Sequence, residues 1–323
     1  MLKKNKFAFL FPGQGAQYIG MGKDFYEQFA SSREIFQQAD DLLQRPFSAL
    51  IFEGLQEELT QTKNSQLAIF IVSLAIHAAF SKSLPEIIPS VCAGLSLGEY
   101  TALVVTGKLS FEEGLFLVEK RALFMQEACL SHPGSMRVVL GLEPNLIQKV
   151  LLELNADAWI ANLNCPGQVV IAGTFKGLDA ASIALKEAGA KRVLPLEVSG
   201  AFHSNLMKSA EEQLTPYLMQ VVLKDSSIDL VMNTPGGFVK NLDQIRLHLI
   251  EQVTRPVRYQ KGIESMLSQG MDYFIEMGPG KTLQGMNKKI GVTFPTKSIE
   301  KSSDLEEFIK SYEEESIHVL KNA

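Results

Sequence analysis

The sequence predicts an α/β protein in which a small unit interrupts a larger α/β domain. Short apolar runs that stop at Gly or Pro, such as residues 7–11 before Pro12-Gly13, are typical of buried strands. Residues 65–80 are apolar nearly all round, as expected of a helix in the middle of a large domain. From about residue 131 the pattern changes to β-α-β-β-α-β over about 70 residues, the order and length of a split ferredoxin-like unit.

The inserted unit is predicted at 131–198, between two parts of the larger domain at 1–130 and 199–323. Its predicted elements are a strand at 136–142, a helix at 144–154, strands at 159–164 and 169–172, a helix at 175–188 and a strand at 192–198. The larger domain is predicted to contain strands at 7–11, 90–93, 230–233 and 273–277, with helices at 21–43, 65–80, 99–105, 111–128, 205–219, 242–253 and 256–269.

Composition and charge exclude several classes of protein. Of the 323 residues, 46% are hydrophobic and 21% are charged, which is typical of a globular chain with a sizeable core. The net charge of −5 argues against a general nucleic-acid binder and against a basic membrane-surface protein.

The cysteines and the hydropathy pattern bear on location. Cys92, Cys129 and Cys165 are odd in number and widely spaced, which predicts reduced thiols in a cytoplasmic environment and no metal site. The apolar run at 7–11 is too short for a signal-peptide core, and no stretch was expected to approach the ~20 apolar residues of a membrane span. We therefore expect a soluble, cytoplasmic protein without a membrane partner.

A candidate nucleophile lies in the pentapeptide GLSLG at 94–98, which matches the G-x-S-x-G elbow. It stands between a predicted strand and a predicted helix, the context that this elbow requires. Small residues permit a strained turn that exposes the Ser96 hydroxyl, and the helix N-terminus directs the Leu97 N–H at an oxygen that becomes negative during acyl transfer. A helix-capping serine in a glycine-rich turn is the alternative explanation.

A serine nucleophile needs a base, and five histidines are available: His77, His132, His203, His248 and His318. His77 falls in the apolar helix, His248 between leucines of a predicted helix, His132 in a loop and His318 in the tail. His203 follows a predicted strand and precedes a predicted helix, a loop position that suits a general base. His203 is therefore the favoured candidate.

Arg121 is placed on the apolar face of the helix predicted at 111–128. Its neighbours at helical spacing are Leu117, Val118, Phe124 and Met125, whereas the glutamates of this helix fall on the other side. A buried guanidinium needs a partner because an unpaired buried charge is very costly. The partner is either a substrate carboxylate, held by a bidentate pair, or a distant acid of the protein.

Two glycine motifs resemble nucleotide sites and fail on inspection. The stretch GQGAQY at 13–18 has Tyr18 where the third glycine of a dinucleotide fingerprint is required. The GKT stretch at 280–282 has Ile275 where a P-loop begins with glycine. We expect no nucleotide cofactor.

Seven ordered motifs are shared with one known family. They are FPGQGAQ at 11–17, GLSLGEY at 94–100, Arg121 with FMQE at 124–127, NLNCPGQ at 162–168 with VVIAG at 169–173, FHS at 202–204 with Met207, Gln252 with PVR at 256–258, and EMGPG at 276–280. Together they resemble the malonyl-CoA:acyl carrier protein transacylase family over nearly the whole chain.

The resemblance implies an α/β-hydrolase-like large domain with a ferredoxin-like insert and a role for each of seven residues. Ser96 is implied as the nucleophile, His203 as its base, the backbone N–H groups of Gln14 and Leu97 as the oxyanion hole, Arg121 as the ligand of the malonyl carboxylate, Gln252 as the source of a backbone carbonyl that orients the histidine, and Asn162 as a supporting polar residue.

The implied activity is malonyl transfer from malonyl-CoA to the thiol of acyl carrier protein for fatty acid biosynthesis. A trans-acting polyketide-type acyltransferase and, more remotely, a serine thioesterase or esterase remain as alternatives. Leu95 stands where many family members have histidine, which leaves the acyl preference open. Arg137, in a predicted strand where small or apolar residues are usual, has no explanation from the sequence.

Overall fold

The computed structural model describes residues 5–294 and 296–321, with the backbone alone for 315–321. The strands are β1 (Phe7–Phe11), β2 (Val91–Gly94), β3 (Ser135–Leu140), β4 (Ala158–Cys165), β5 (Gln168–Gly173), β6 (Arg192–Pro195), β7 (Asp229–Met232), β8 (Gly237–Phe238), β9 (Tyr273–Met277) and β10 (Thr296–Ile299). The helices are α1 (Lys23–Gln28), α2 (Ala30–Leu43), α3 (Phe47–Glu53), α4 (Gln56–Thr60), α5 (Thr62–Ser83), α6 (Gly98–Val105), α7 (Phe111–Ser131), α8 (Pro144–Leu154), α9 (Phe175–Glu187), α10 (Lys208–Gln220), α11 (Leu242–Gln252), α12 (Tyr259–Ser268), α13 (Thr282–Ile290) and α14 (Ser302–Lys321).

The larger sheet has six strands in the order β10-β9-β1-β2-β7-β8. All neighbouring strands are parallel except β7 and β8, which are antiparallel. Side chains of β1 alternate between two hydrophobic clusters. Phe9 lies in the cluster that includes α5, and Leu10 lies in the cluster that includes α12 and α13. Both faces of the sheet are therefore covered, which explains why β1 and β2 are continuous apolar runs.

The smaller sheet is antiparallel, with the order β4-β5-β3-β6. Along the chain its elements follow the predicted β-α-β-β-α-β order. One face packs on α8 and α9 through residues such as Val139, Ile171 and Leu178. The opposite face, which carries Met136 and Val170, packs toward the larger sheet.

The structure corrects several predicted elements. The helix predicted at 21–43 is divided at Phe29, which has extended backbone angles, into α1 and α2. The helix predicted from residue 205 starts with a turn of 3-10 helix (Asn205–Met207), and the helix predicted from 256 begins only at Tyr259. The sequence reasoning missed α3, α4, β8, α13 and β10, most of which are short.

Helix α5 corrects the expectation that no stretch approaches the length of a membrane span. Its 22 residues are long and apolar enough to cross a membrane by length and composition alone. However, 83% of its most apolar 18-residue window is buried inside the protein. It therefore forms part of the core, where it packs on α2 and α7.

Arg137 now has an explanation. Its guanidinium lies on the helical face of the smaller sheet and donates to the Leu178 carbonyl at 3.0 Å and to the Ser182 hydroxyl at 2.6 Å. It also forms an ion pair with Asp179. Arg137 thus ties β3 to α9.

Candidate active site

Ser96 lies in a sharp turn between β2 and α6. Its φ of 53° falls in the left-handed region, which is uncommon for a residue other than glycine and indicates local strain. The flanking glycines allow the turn to close. A Cβ at position 94 would lie 2.0 Å from the carbonyl carbon of Gly98, and one at position 98 would lie 2.1 Å from the Phe11 carbonyl oxygen.

The Ser96 hydroxyl is hydrogen-bonded to the imidazole of His203. Ser96 Oγ and His203 Nε2 are 2.8 Å apart, and His203 Nδ1 lies 2.7 Å from the main-chain oxygen of Gln252. Since a carbonyl oxygen can only accept, Nδ1 carries the proton and the Nε2 lone pair faces the serine. A backbone carbonyl thus fixes the tautomer, the role that an aspartate has in serine proteases.

His203 is buried, with 3% of its surface exposed. Burial, and to a lesser degree the positive charge of Arg121, lower the pKa of His203 to about 4, and the Gln252 carbonyl opposes this. The imidazole is therefore neutral at pH 7, which is the state that accepts a proton.

Arg121 is 1% exposed and projects from α7 toward Ser96. It donates to the Gln66 side-chain oxygen, to Gln252 Oε1 at 2.9 Å and to Ser96 Oγ at 3.0 Å. Its guanidinium lies 5.5 Å from the ring centroid of Tyr100. Burial lowers the pKa of Arg121, but arginine remains charged in proteins.

Arg121 has no acidic partner among the described side chains. Within residues 5–294 and 296–314, no carboxylate forms an ion pair with the guanidinium, and Arg121 Nε has no hydrogen-bond partner. The three hydrogen bonds above leave two of the five guanidinium N–H groups uncommitted. A charged group in this state is suited to bind an anion.

The resemblance implies the backbone N–H groups of Gln14 and Leu97 as an oxyanion hole. The Gln14 N–H follows β1, and the Leu97 N–H follows Ser96 at the start of α6. In the part of the chain that the structure describes, neither N–H donates to a protein acceptor. Such groups can stabilise negative charge on an oxygen that forms beside Ser96.

Several of these residues line one cavity of about 310 Å³, to which elements of both sheets contribute. The turns and helices around the larger sheet contribute Gln14, Ser96, Arg121 and His203 to its lining. The smaller sheet contributes Met136, Val138, Asn162, Asn164 and Val170. Because β1, β2 and β7 are parallel, the turns after them meet at one edge of the sheet, where α/β proteins place their ligands.

Comparison with known proteins identifies the family. A family model described as acyl transferase domain matches residues 8–299. The malonyl CoA-acyl carrier protein transacylase of Bacillus subtilis (strain 168) is 43% identical over 314 residues, which cover 96% of this chain and 98% of that protein. The chain belongs to the malonyl CoA-acyl carrier protein transacylase family.

Solved structures of the family share the fold. The transacylase from Clostridium perfringens Atcc 13124 matches with a TM-score of 0.92 at 36% identity. The match covers 98% of this chain and 100% of the Clostridium chain. A malonyl-transacylase solved with a type II PKS acyl-carrier protein matches with a TM-score of 0.89 at 35% identity. That match covers 95% of this chain and 100% of the other. The shared architecture is a mixed α/β fold with a parallel-rich sheet and a separate antiparallel sheet.

Three other histidines with described side chains do not contact Ser96. His77 is hydrogen-bonded to Ser81 within α5, and His248 contacts Glu251 within α11. His132 is exposed at the end of α7, and the side chain of His318 lies outside the described residues. The structure therefore leaves His203 as the histidine that contacts the elbow serine, among the described side chains.

Three polar residues at the site were not found by sequence reasoning. Asn233, after β7, accepts from the Ser96 N–H at 2.7 Å and donates to the Gly94 carbonyl at 2.7 Å, so it holds the turn. Gln66 accepts from Arg121, and Glu99 is a fully buried carboxylate one helical turn after Ser96. Of these, only Glu99 gave a usable signal, since it lies inside the matched motif GLSLGEY at 94–100.

Proposed function

We propose that this protein transfers a malonyl group from malonyl-CoA to the thiol of acyl carrier protein through an ester on Ser96, for fatty acid biosynthesis. The observation that carries the proposal is the position of Ser96 Oγ, 2.8 Å from His203 Nε2 and 3.0 Å from Arg121 Nη2 in one cavity. One hydroxyl thus has both a base and a cation that can hold a carboxylate. Membership of a family whose members are named for this reaction supports the same conclusion.

The first half-reaction forms the ester. Ser96 Oγ attacks the thioester carbonyl while its proton passes to His203 Nε2. The oxygen that becomes negative is stabilised by the N–H groups of Gln14 and Leu97. The carbon–sulfur bond then breaks, and the leaving thiolate of coenzyme A takes the proton from His203.

The second half-reaction is the reverse with a different thiol. The carrier thiol gives its proton to His203 and attacks the ester carbonyl, and Ser96 recovers the proton as it leaves. The negative charge of the bound malonyl group assists both half-reactions. A malonyl carboxylate paired with Arg121 offsets the positive charge that disfavours protonation of His203.

Arg121 is proposed to select acyl groups that carry a carboxylate. Its burial strengthens a charge-assisted hydrogen bond and makes an uncharged occupant costly, because the guanidinium would then remain unpaired. Asn162, which is 8% exposed and lines the same cavity, is proposed as a supporting polar residue.

The finer description of the fold is also a proposal. We assign 1–130 and 199–323 to an α/β-hydrolase-like domain and 131–198 to a ferredoxin-like insert. The strand–turn–helix at Ser96 supports the first assignment, and the β4-β5-β3-β6 order supports the second. A cytoplasmic location fits the three buried free cysteines Cys92, Cys129 and Cys165.

The direct test of the function is intact-mass measurement after incubation with a panel of acyl-CoA thioesters. The protein is expected to gain the mass of one malonyl group and to keep it until a thiol acceptor is added. Malonyl-enzyme that decays to free malonate at the same rate with and without acyl carrier protein would instead indicate a thioesterase.

The depressed pKa of His203 predicts activity that persists into acid. The base must be neutral, so the reaction of Ser96 should fall only as the pH drops through about 4. We expect the rate of inactivation by phenylmethanesulfonyl fluoride, a serine reagent without a carboxylate, to show this midpoint. The protein is exposed to each pH only briefly, and the fluorescence of Trp159 is recorded there. An unchanged fluorescence shows that the loss of rate comes from protonation of His203 and not from unfolding.

Arg121→Gln provides the control for this profile. Removing the neighbouring positive charge should raise the His203 pKa and move the acid midpoint toward higher pH. A midpoint near 6.5 in the unsubstituted protein would contradict the assignment of a buried neutral base at His203.

The carrier protein is proposed to dock beside α13. Lys281, Lys288 and Lys289 form a basic cluster there, but Lys281 pairs with Asp304 at 3.3 Å. Lys288 and Lys289 are exposed, and Lys289 reaches Gln168 at the cavity. Lysines at a rim attract an acidic partner and mainly alter association.

The double variant Lys288→Glu/Lys289→Glu is therefore expected to raise the KM for acyl carrier protein about tenfold, consistent with loss of two rim charges. The rate of ester formation from malonyl-CoA should change by less than about threefold. Lys176→Glu/Lys186→Glu, with the same charge change on exposed positions of α9, is the matched control. An unchanged carrier KM, or a larger effect on malonyl-CoA, would remove this docking proposal.

A further inference from the structure

Glu99 is a buried carboxylate beside the site that the steps above do not use. It lies in the first turn of α6 and has no exposed surface. A negative charge is favoured at the N-terminus of a helix, but burial still makes such a group costly unless it is fully hydrogen-bonded. A buried carboxylate in this position therefore needs specific hydrogen-bond partners.

Both oxygens of Glu99 accept hydrogen bonds. The main-chain N–H of Asn233 donates to Oε1 at 2.6 Å, and the side-chain amide of Gln252 donates to Oε2 at 2.5 Å. Neither donor nitrogen can accept a hydrogen bond in return, so a proton on the carboxyl would have no acceptor here. The ionised carboxylate therefore fits its two partners, although burial raises the pKa of Glu99 to about 8 against these hydrogen bonds and the Arg121 charge.

Gln252 connects Glu99 to Arg121. Its side-chain nitrogen donates both to Glu99 and to the Ser96 carbonyl at 2.9 Å, while its Oε1 accepts from Arg121 at 2.9 Å. If this amide were reversed, its oxygen would face the Glu99 oxygen and its NH₂ group would face the guanidinium. Glu99 thus reinforces, together with Arg121 and the Ser96 carbonyl, the orientation in which Gln252 presents an acceptor to Arg121.

The position of Glu99 also matters for charge. In its ionised form it places a negative charge near Arg121 without occupying the guanidinium, because the Gln252 side chain lies between them in the hydrogen-bond chain. A direct Glu–Arg pair would compete with a substrate carboxylate. The indirect arrangement leaves Arg121 uncommitted at Nε.

We propose that Glu99 is a positioning residue that fixes the Gln252 amide and, through it, the Arg121 guanidinium, so that Glu99 sets the preference for acyl groups bearing a carboxylate. This inference rests on the proposed function of the site. It assigns to Glu99 no contact with the substrate and no proton transfer.

Glu99→Gln is the sharpest variant because it keeps the shape of the side chain. An amide at 99 has one oxygen and one NH₂ group, yet both neighbours are donors, so one contact becomes donor against donor. If the Gln252 amide reversed to accept from the new amide at position 99, its NH₂ group would face the Arg121 guanidinium, and two donors would again meet. His203 should be less affected, since it is held by the main-chain oxygen of Gln252.

The experiment compares two rate constants for Ser96 labelling in each variant, one with malonyl-CoA and one with phenylmethanesulfonyl fluoride. Glu99→Gln is expected to lower the malonyl rate constant about 10- to 100-fold, as for a mismatched buried hydrogen bond, and to leave the sulfonyl fluoride rate constant within about threefold. In an Arg121→Gln background, Glu99→Gln should add less than about threefold, because it acts through the residue already removed.

Two further variants keep the test decisive if Glu99→Gln does not fold. Gln252→Met removes the connecting amide but retains the main-chain oxygen that orients His203. It should lower malonyl labelling by a larger factor than sulfonyl fluoride labelling, although loss of its hydrogen bond to the Ser96 carbonyl slows both. Glu99→Asp retains two acceptor oxygens and should lose less malonyl labelling than either.

Several outcomes overturn the inference alone. They are unchanged malonyl labelling in Glu99→Gln or Gln252→Met, an equal loss with both reagents, or a full additional loss in the Arg121→Gln background. Failure of the unsubstituted protein to be labelled by malonyl-CoA is distinguishable from these, because it overturns the proposed function and this inference with it.

Discussion

Ser96→Ala is expected to eliminate the malonyl-enzyme and to reduce malonyl transfer by about 10⁴-fold or more, the scale seen when a serine nucleophile is removed. The physical reason is that Ser96 Oγ is the hydroxyl hydrogen-bonded to His203 Nε2. Without it, the base has no serine hydroxyl to deprotonate. The measurement is intact mass after incubation with malonyl-CoA, followed by transfer to acyl carrier protein.

Ser268→Ala is a matched control, because Ser268 is an exposed serine at the end of α12 whose hydroxyl donates to the Ser265 carbonyl. It should be labelled like the unsubstituted protein. A malonyl adduct that persists in Ser96→Ala would show that the ester forms elsewhere and would refute the assignment of the nucleophile.

Arg121→Gln is expected to lower the rate of malonyl-enzyme formation by about 10²- to 10³-fold, the range for removing one partner of a buried charge pair. The malonyl carboxylate would then enter a buried site without a cation. Labelling by acetyl-CoA should be retained or increase, because an uncharged acyl group no longer leaves a guanidinium unpaired. Competition between the two thioesters, followed by intact mass, measures the change in preference directly.

Arg137→Gln is the corresponding control. Arg137 lies on the helical face of the smaller sheet, where it bonds α9 and is outside the cavity lining. It should weaken the packing of α9 on the smaller sheet and leave acyl preference unchanged. If Arg121→Gln kept the preference for malonyl over acetyl groups, the carboxylate would have to be bound by another group.

The sequence predicted the fold where local signals were strong. Long apolar runs and amphipathic segments gave β1, α5, α7 and the six elements from β3 to β6. Boundaries were missed where tertiary contacts decide them, as at Phe29, whose extended backbone separates α1 from α2. Short elements such as β8 and α4 have too few residues to show a period.

At the site, the sequence found the groups that chemistry marks by type. The elbow serine, a loop histidine and an arginine on an apolar face are each unusual in their local context. Asn233 and Gln66 are not unusual, because an amide in a loop or helix carries no sign that it will face Ser96 or Arg121. Their roles depend on which strands and helices become neighbours.

The sequence by itself determined that a serine elbow, a candidate base and an apolar-face arginine exist, because each follows from the spacing of nearby residues. Only the tertiary structure decided that they meet, since His203 is 107 residues from Ser96 and contacts it at 2.8 Å. It also decided that a Gln252 carbonyl, 49 residues further along, orients the imidazole. Such contacts arise from parallel strand order and from burial against distant elements, which no local pattern in the chain encodes.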